Sequence, residues 1–171
     1  MKKPVFLQIV GRKKSGKTTL IVALTAELTA RGFKLGTVKH TSHDHEFDQP
    51  GTDSWKHRKA GAGGTFIISP NEFVMHTRKP DAIAIKEIMD LVFAGMDIVL
   101  WEGRNGIDVD KIECVGPGNK AIFGLDDKLI ATVSEKTQAP NLPNFAQSEM
   151  NSIVEWILSR LDVSNISFPD K

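Results

Sequence analysis

Residues 11 to 18 read Gly-Arg-Lys-Lys-Ser-Gly-Lys-Thr, which is a complete G-x-x-x-x-G-K-[ST] phosphate-binding loop. In such a loop the two glycines let the backbone curl so that successive N–H groups point at phosphate oxygens, and the following helix adds positive potential. Lys17 is expected to reach the β- and γ-phosphates, and the Thr18 hydroxyl to hold Mg²⁺. The sequence therefore predicts a nucleoside triphosphate site formed by Gly11, Arg12, Lys13, Lys14, Ser15, Gly16, Lys17, Thr18 and Thr19.

A second chemical signal is the apolar run from 96 to 101, which ends at Glu102 and Gly103. Nucleotide-binding sheets use a carboxylate at the end of a buried strand to hold Mg²⁺, directly or through water. Glu102 stands where many P-loop proteins have aspartate, so a role near the metal is favoured over direct coordination. Thr18 and Glu102 are the predicted metal residues, and Gly103 is expected to let the backbone approach the γ-phosphate.

Three further candidates are chosen by their place in the pattern. Lys39 ends a predicted strand and His40 opens the loop that follows it, so both are expected to lie over the phosphates and contact the nucleotide. A predicted helix begins after Pro50-Gly51, with Thr52 or Asp53 as its N-cap. Asp53 either caps this helix or acts near Mg²⁺, as a carboxylate that is not a direct ligand or as a water-orienting base. Lys17, Glu102 and Asp53 make up the predicted set of catalytic residues.

The segment from 40 to 48 contains three histidines and several carboxylates, which together are able to form a transition-metal site. No H-x-x-x-H helical spacing and no cysteine partner supports such a site. The simpler interpretation is an exposed polar loop, and a third is contact of Lys39, His40 and Asp44 with substrate or metal. A metal-delivery protein that uses these histidines therefore stays an open alternative.

Composition limits the classes of protein to consider. The 171 residues are 40% hydrophobic and 25% charged with a formal net charge of +1, which is typical of a globular protein and gives no global attraction to nucleic acid or membrane. No apolar run approaches the ~20 residues of a membrane helix, and no signal-peptide pattern opens the chain. The single cysteine, Cys114, is expected to be a buried structural thiol. We expect a cytoplasmic protein with no nucleic-acid or membrane partner.

The elements that must position these residues alternate along the chain. Apolar strands are predicted at 4–10, 33–39, 65–69, 96–101, 111–115 and 129–133, and helices at 19–31, 53–62, 82–94 and 147–161. Residues 72–77 are expected to pair back on 65–69 as a hairpin. The pattern predicts an α/β fold: one P-loop NTPase domain over 1–171, with a mostly parallel sheet, helices on both faces and a β-hairpin. The ligand would lie at the carboxyl ends of the strands.

Beyond the phosphate loop, the chain resembles the MobB family of molybdopterin-guanine dinucleotide biosynthesis adaptor proteins. The resemblance rests on G-T-V-K-H-T at 36–41, the histidine and aspartate loop, D-x-P-G-T-D-S at 48–54, R-K-A-G-A at 58–62 and the strand that ends at 101–103. These segments follow in the family's order and cover roughly the first two-thirds of the chain. Arg104-Asn105 stands where the family usually has an aromatic residue and a lysine.

This resemblance implies a GTP-binding protein with weak, Mg²⁺-dependent GTP hydrolysis that assists the guanylyltransferase attaching GMP to molybdopterin. It implies a homodimer, with molybdopterin and the guanylyltransferase as partners and GTP and Mg²⁺ as cofactors. Glu102 and Asp53 would lie near Mg²⁺, while Lys39, His40 and the Arg58-Lys59 region would face the phosphates or the bound pterin. GTP rather than ATP, and the link to molybdenum, follow from the resemblance alone.

Two other interpretations share the phosphate loop. A small-molecule kinase would have the same fold and size, but it needs an arginine-bearing lid that clamps the transferred phosphate and excludes water. Arg104 is the only arginine among residues 104–128, so the sequence shows no cluster of arginines for such a lid. A non-catalytic adaptor would use nucleotide only to order its loops, which suits a chain without an obvious general base.

Overall fold

The computed structural model describes residues 3–78, 82–103, 108–122, 127–136 and 138–161. Contacts between Cα atoms divide the chain into two compact units, the first formed by 1–40 and 86–171 and the second by 41–85. Two compact units can belong to one domain, so the single domain expected over 1–171 stays a prediction. The described part of the chain contains no helix long and apolar enough to cross a membrane.

The described residues form eight strands and four helices. In chain order the strands are β1 (Val5–Val10), β2 (Leu35–Lys39), β3 (Gly64–Ile68), β4 (Phe73–Thr77), β5 (Ile98–Glu102), β6 (Lys111–Cys114), β7 (Leu129–Val133) and β8 (Asn144–Phe145). The helices are α1 (Lys17–Ala30), α2 (Asp53–Lys59), α3 (Ala82–Val92) and α4 (Met150–Arg160).

The first unit is built on a parallel sheet with the order β2-β5-β1-β6-β7-β8. Side chains alternate between the two faces of a strand, so Leu7 and Ile9 of β1 share one face and Phe6 lies on the other. Leu7 and Ile9 are fully buried in the main core together with apolar residues of α1 and α4, including Leu20, Leu24, Ile153 and Ile157. This apolar layer holds α1 against the sheet at the end of β1.

The opposite face of the sheet is covered as well. The ammonium group of Lys86, in α3, lies 5.4 Å from the centre of the Phe6 ring. Phe93 packs against Gly36 so closely that a Cβ at Gly36 would lie 2.4 Å from the phenyl ring. The α/β fold with a mostly parallel sheet, helices on both faces and a hairpin is therefore confirmed.

The second unit contains α2 and an antiparallel hairpin of β3 and β4, paired from Gly64 with Thr77 to Ile68 with Phe73. The Phe66 and Phe73 rings are stacked with centroids 5.1 Å apart. Six apolar side chains of the hairpin are 40–78% exposed, namely Phe66, Ile67, Ile68, Phe73, Val74 and Met75. Such a large exposed apolar surface is typical of an interaction site.

The observed element boundaries differ from the predicted ones in ways that have physical reasons. Helix α2 ends at Lys59 instead of residue 62, because Gly61 adopts a left-handed φ of 109°. Of the two predicted N-cap residues, Thr52 caps this helix, by accepting from the Trp55 N–H at 3.3 Å. No strand is predicted between 133 and 147, but the structure forms β8 there. Two strand residues beside a proline are too few to give a periodic signal.

Candidate nucleotide-binding site

The phosphate loop depends on backbone conformations that only glycine adopts easily. Gly11 has φ 137°, and a Cβ there would lie 2.3 Å from the carbonyl oxygen of Cys114 and 2.7 Å from Ser15 Oγ. Gly16, the last residue before α1, has φ 94°. Gly11 is thus required both by its φ and by the close approach of β6, while Gly16 is required by its φ.

Lys17 lies across the loop that precedes it. Its ammonium group donates to the carbonyl oxygens of Gly11 at 3.1 Å and Arg12 at 2.6 Å. No carboxylate of the described residues forms an ion pair with it. The positive charge of Lys17 is therefore held at the curled backbone by neutral acceptors, and it stays available to an anion.

Glu102 is the point where three elements meet. The Thr18 hydroxyl, in the first turn of α1, donates to its Oε1 at 2.9 Å. The Lys39 ammonium lies 3.4 Å from both carboxylate oxygens, because β2 pairs with β5 in a register that places Lys39 opposite Glu102. Hydroxyl and carboxylate oxygens are the donors that Mg²⁺ prefers. Thr18 and Glu102 thus fit a Mg²⁺ ion, as their adjacent oxygens lie at the mouth of the loop.

These residues border a cavity of about 430 Å³ whose lining contains three lysines and one carboxylate: Lys13, Lys14, Ser15, Gly16, Lys17, Thr18, Thr19 and Glu102. The hydroxyl of Ser15 is buried and has no hydrogen-bond partner among the described residues. Three positive side chains, a helix N-terminus and an unpaired hydroxyl suit a phosphate chain. The residues present therefore fit a nucleoside triphosphate.

Two predicted nucleotide contacts, Arg12 and His40, do not line this cavity. The Arg12 side chain is exposed, and the contact of Arg12 at the loop is its carbonyl oxygen, which accepts the hydrogen bond from Lys17. His40 donates its backbone N–H to the Glu102 carbonyl at 2.8 Å. Gly103, with φ 129°, is needed because a Cβ there would lie 2.9 Å from His40 Cβ and from its carbonyl oxygen. Approach of Gly103 to a γ-phosphate stays a prediction.

Two glutamines near the loop escaped the sequence analysis. Gln8 is buried in β1 and donates from Nε2 to the Gly103 carbonyl at 2.7 Å, which holds the turn after Glu102. Its signal was a polar residue inside an apolar strand. Gln147 Oε1 lies 3.0 Å from where a Cβ on Gly16 would be, and only the tertiary structure brings that side chain to the loop.

Asp53 belongs to the second unit, at the first turn of α2. Its carboxylate forms an ion pair with Lys56 at 3.2 Å, and 89% of the side chain is exposed. Among the described residues of its unit, this carboxylate lies in the open. Its predicted catalytic and Mg²⁺-related role stays a prediction.

Among the described carboxylates of the second unit, Asp48 is the most buried, and no role of its own was predicted for it from the sequence. It accepts a hydrogen bond from Ser54 Oγ at 2.9 Å and pairs with the Arg58 guanidinium at 3.2 Å. Burial acts to raise the pKa of Asp48, but the hydrogen bonds from Ser54 and Arg58 outweigh it, so the pKa lies below its ordinary value. The D-x-P-G-T-D-S segment and the following arginine therefore form one local network.

The histidine loop and the lone cysteine show no catalytic arrangement. The rings of His43 and His45 lie edge to face at 6.2 Å. Among the described residues, which include the whole loop from 40 to 48, no three His, Cys, Asp or Glu side chains come together to hold a metal ion. Burial raises the pKa of Cys114 to about 12, which excludes a thiolate nucleophile at neutral pH. The metal-delivery alternative thus has no site in this part of the chain.

Arg104 and Asn105 lie outside the described residues. The kinase alternative and the departure from the family pattern both depend on them.

Comparison with known families gives one family match. The model of the family described as MobB, molybdopterin guanine dinucleotide synthesis protein B, matches residues 6–135. This segment includes the phosphate loop, Glu102 and the whole second unit.

Two curated relatives are similar to part of the chain. The molybdopterin-guanine dinucleotide biosynthesis adapter protein of Escherichia coli K12 is 39% identical over 105 residues, which cover 57% of this chain and 58% of that protein. The protein of the same description from Haemophilus influenzae is 31% identical over 107 residues, covering 62% and 60%. The aligned regions thus span less than two thirds of the length of either relative.

The similarity to a solved structure extends further along the chain. The crystal structure of Bacillus subtilis MobB superposes with a TM-score of 0.71 at 25% identity, covering 92% of this chain and 98% of that one. The fold of this chain therefore has a counterpart in a solved structure.

Proposed function

The chain belongs to the MobB family, and we propose that it is a GTP-binding adaptor that assists the attachment of GMP to molybdopterin during molybdenum cofactor biosynthesis. Two curated relatives are named as adapter proteins of molybdopterin-guanine dinucleotide biosynthesis. The observation that carries the nucleotide part of this proposal is the cluster of Lys17, Thr18 and Glu102 around the phosphate loop.

Each residue of the cluster has a distinct role in the proposal. Lys17 and the loop N–H groups bind the phosphate oxygens, while Thr18 and Glu102 hold Mg²⁺, which would neutralise charge on the phosphates. Lys39 keeps the Glu102 carboxylate in place from the neighbouring strand. Among the described lining residues, Glu102 is the only carboxylate, and it is already engaged by Thr18 and Lys39. This supports slow hydrolysis and a role as adaptor.

The test of this proposal is calorimetric titration with GTP and with ATP, each with Mg²⁺. We expect GTP to bind more tightly, and Lys17→Ala to weaken GTP binding by roughly 10- to 100-fold, since a charge-assisted contact contributes about 1.5–3 kcal/mol. Lys34→Ala is the matched control, because Lys34 is an exposed lysine just before β2, at the opposite end of that strand from Lys39.

Two results would contradict the proposal. If the Lys17→Ala protein bound GTP as tightly as the parent protein, the assignment of residues 11–18 as the phosphate-binding loop would be wrong. A preference for ATP would leave the phosphate site in place and favour a kinase.

Partners of the proposed adaptor are the guanylyltransferase, molybdopterin and a second copy of this chain. The homodimer draws support from the hairpin, because its six exposed apolar side chains are costly in water. Phe66→Ser combined with Phe73→Ser should convert a dimer to monomer in sedimentation velocity experiments. Leu91→Ser, which replaces a leucine 67% exposed on α3, is the control. A dimer that survives the hairpin double substitution would exclude the hairpin as its interface.

A further inference from the structure

The second unit contains a concave surface that takes no part in the nucleotide site proposed at the phosphate loop. A cavity of about 290 Å³ is bordered by Glu46, Trp55, Arg58, Lys59 and Arg78 together with the glycine-rich turn 61–63. All of these residues fall between 41 and 85, so the cavity belongs to one compact unit. This surface is called the basic pocket below.

Positive charge exceeds negative charge in the basic pocket. Arg58, Lys59 and Arg78 line it, against one lining carboxylate, Glu46. Glu46 accepts from the Trp55 indole N–H at 2.9 Å and lies 3.9 Å from the Lys59 ammonium. No carboxylate of the described residues pairs with Arg78. Even with Asp48, which pairs with Arg58, two carboxylates face three cations.

Arg58 is held in place from beneath. Its Nη1 pairs with Asp48, whose carboxylate is 3% exposed and also accepts from Ser54. The other guanidinium nitrogens have no partner among the described residues and stay free to donate. A guanidinium fixed in this way loses little conformational entropy when it binds an anion.

The wall and floor of the basic pocket leave room for a ligand. A Cβ at Gly61 or Gly63 would meet no atom within 4 Å, so the turn at 61–63 is open. The half-buried Trp55 contributes an indole ring, with the Lys59 ammonium 5.2 Å from the ring centre. Cations beside an aromatic wall suit a ligand that has a phosphate group and a ring.

We propose that the basic pocket binds a phosphate monoester, with Arg58, Lys59 and Arg78 contacting the phosphate and Trp55 contacting the group that carries it. The site is additional to the phosphate loop and does not depend on nucleotide binding there. A phosphate monoester differs from the nucleoside triphosphate proposed for the loop, and the pocket gives a specific place to the Arg58-Lys59 region that the family resemblance turns toward phosphates or the bound pterin.

The test uses the full chain with Lys17→Ala, so that the phosphate loop does not dominate the binding of the probe. Phenyl phosphate and inorganic phosphate are titrated while the Trp55 indole N–H signal is followed by NMR, assigned by its loss in Trp55→Phe. That N–H bonds to Glu46 inside the pocket and reports locally. We expect saturable shifts, with phenyl phosphate binding more tightly because its ring contacts Trp55.

Charge-removing variants separate a site from diffuse attraction. Arg78→Gln should weaken phenyl phosphate binding about tenfold or more, and Lys59→Gln serves as a second variant should Arg78→Gln fail to fold. Lys56→Gln is the matched control, because Lys56 is on the same helix but pairs with Asp53 and does not line the pocket.

Absence of a saturable shift would overturn the proposal. So would equal weakening by Lys56→Gln, which would mean that these cations act only as a diffuse field at the end of α2. All of these titrations use the Lys17→Ala protein, whereas the test of GTP binding uses the parent protein. Failure of the basic-pocket proposal is therefore distinguishable from failure of the GTP-binding proposal.

Discussion

The phosphate loop of the first unit and the basic pocket of the second unit both collect positive charge, yet different contacts hold them. In the loop, glycine backbone conformations and the start of α1 create the anion site, and Lys17 bonds to the loop's own carbonyls. In the basic pocket, a buried carboxylate, Asp48, fixes an arginine from behind. The loop site therefore depends on its backbone shape as well as on Lys17 and has no room for added volume at Gly11, whereas the basic pocket depends on its side chains alone.

The largest effect should come from adding one carbon atom to the loop. Gly11→Ala places a Cβ 2.3 Å from the Cys114 carbonyl at a φ of 137°, so the loop must change shape. We expect GTP affinity to fall on the order of 100-fold, measured by calorimetry. Gly32→Ala is the control, because its φ is 92° but nothing lies within 4 Å of the added Cβ. If Gly32→Ala lost as much GTP affinity as Gly11→Ala, the contact with the Cys114 carbonyl would not be the cause of the loss.

A smaller effect tests Glu102, the carboxylate that lines the loop site. Glu102→Gln keeps the hydrogen bond from Thr18 but removes the charge facing Mg²⁺. We expect GTP hydrolysis to slow about tenfold and to need more Mg²⁺, measured as phosphate release against Mg²⁺ concentration. Glu27→Gln, on the same unit but paired with Arg31, should change neither quantity. Unaltered Mg²⁺ dependence in Glu102→Gln would leave this residue a purely structural role.

The smallest effect concerns acid stability of the second unit. Because the folded pKa of Asp48 is lowered, its ionised form stabilises the fold above the ordinary aspartate pKa of about 3.9, and this stability is lost as pH falls through the lower folded value. Asp48→Asn should lower the thermal midpoint at neutral pH by several degrees and flatten its acid dependence, measured by circular dichroism melts. Asp53→Asn is the exposed control. Identical pH profiles in the two variants would contradict the role of Asp48.

Most elements were predictable because their signals are local. Strand β1, the loop and α1 follow one another, so apolar spacing and glycines identify them without knowledge of any distant residue. Glu102 was also found, since it ends an apolar run. Strand β8 was missed because two residues are too few to show the alternation of apolar and polar side chains. Gln147 was missed because nothing near it in the sequence relates it to Gly16.

The sequence by itself determined the phosphate loop, the alternation of strands and helices and the resemblance to the MobB family, because each depends on neighbouring residues. Only the tertiary structure decided which charges meet. Thr18, Lys39 and Glu102 come from three elements, and the register of β2 against β5 brings two of them together. Likewise, only folding of the second unit buries Asp48 beneath Arg58 and leaves Arg78 unpaired among the described residues. Electrostatic contacts depend on distance in space, which sequence separation does not specify.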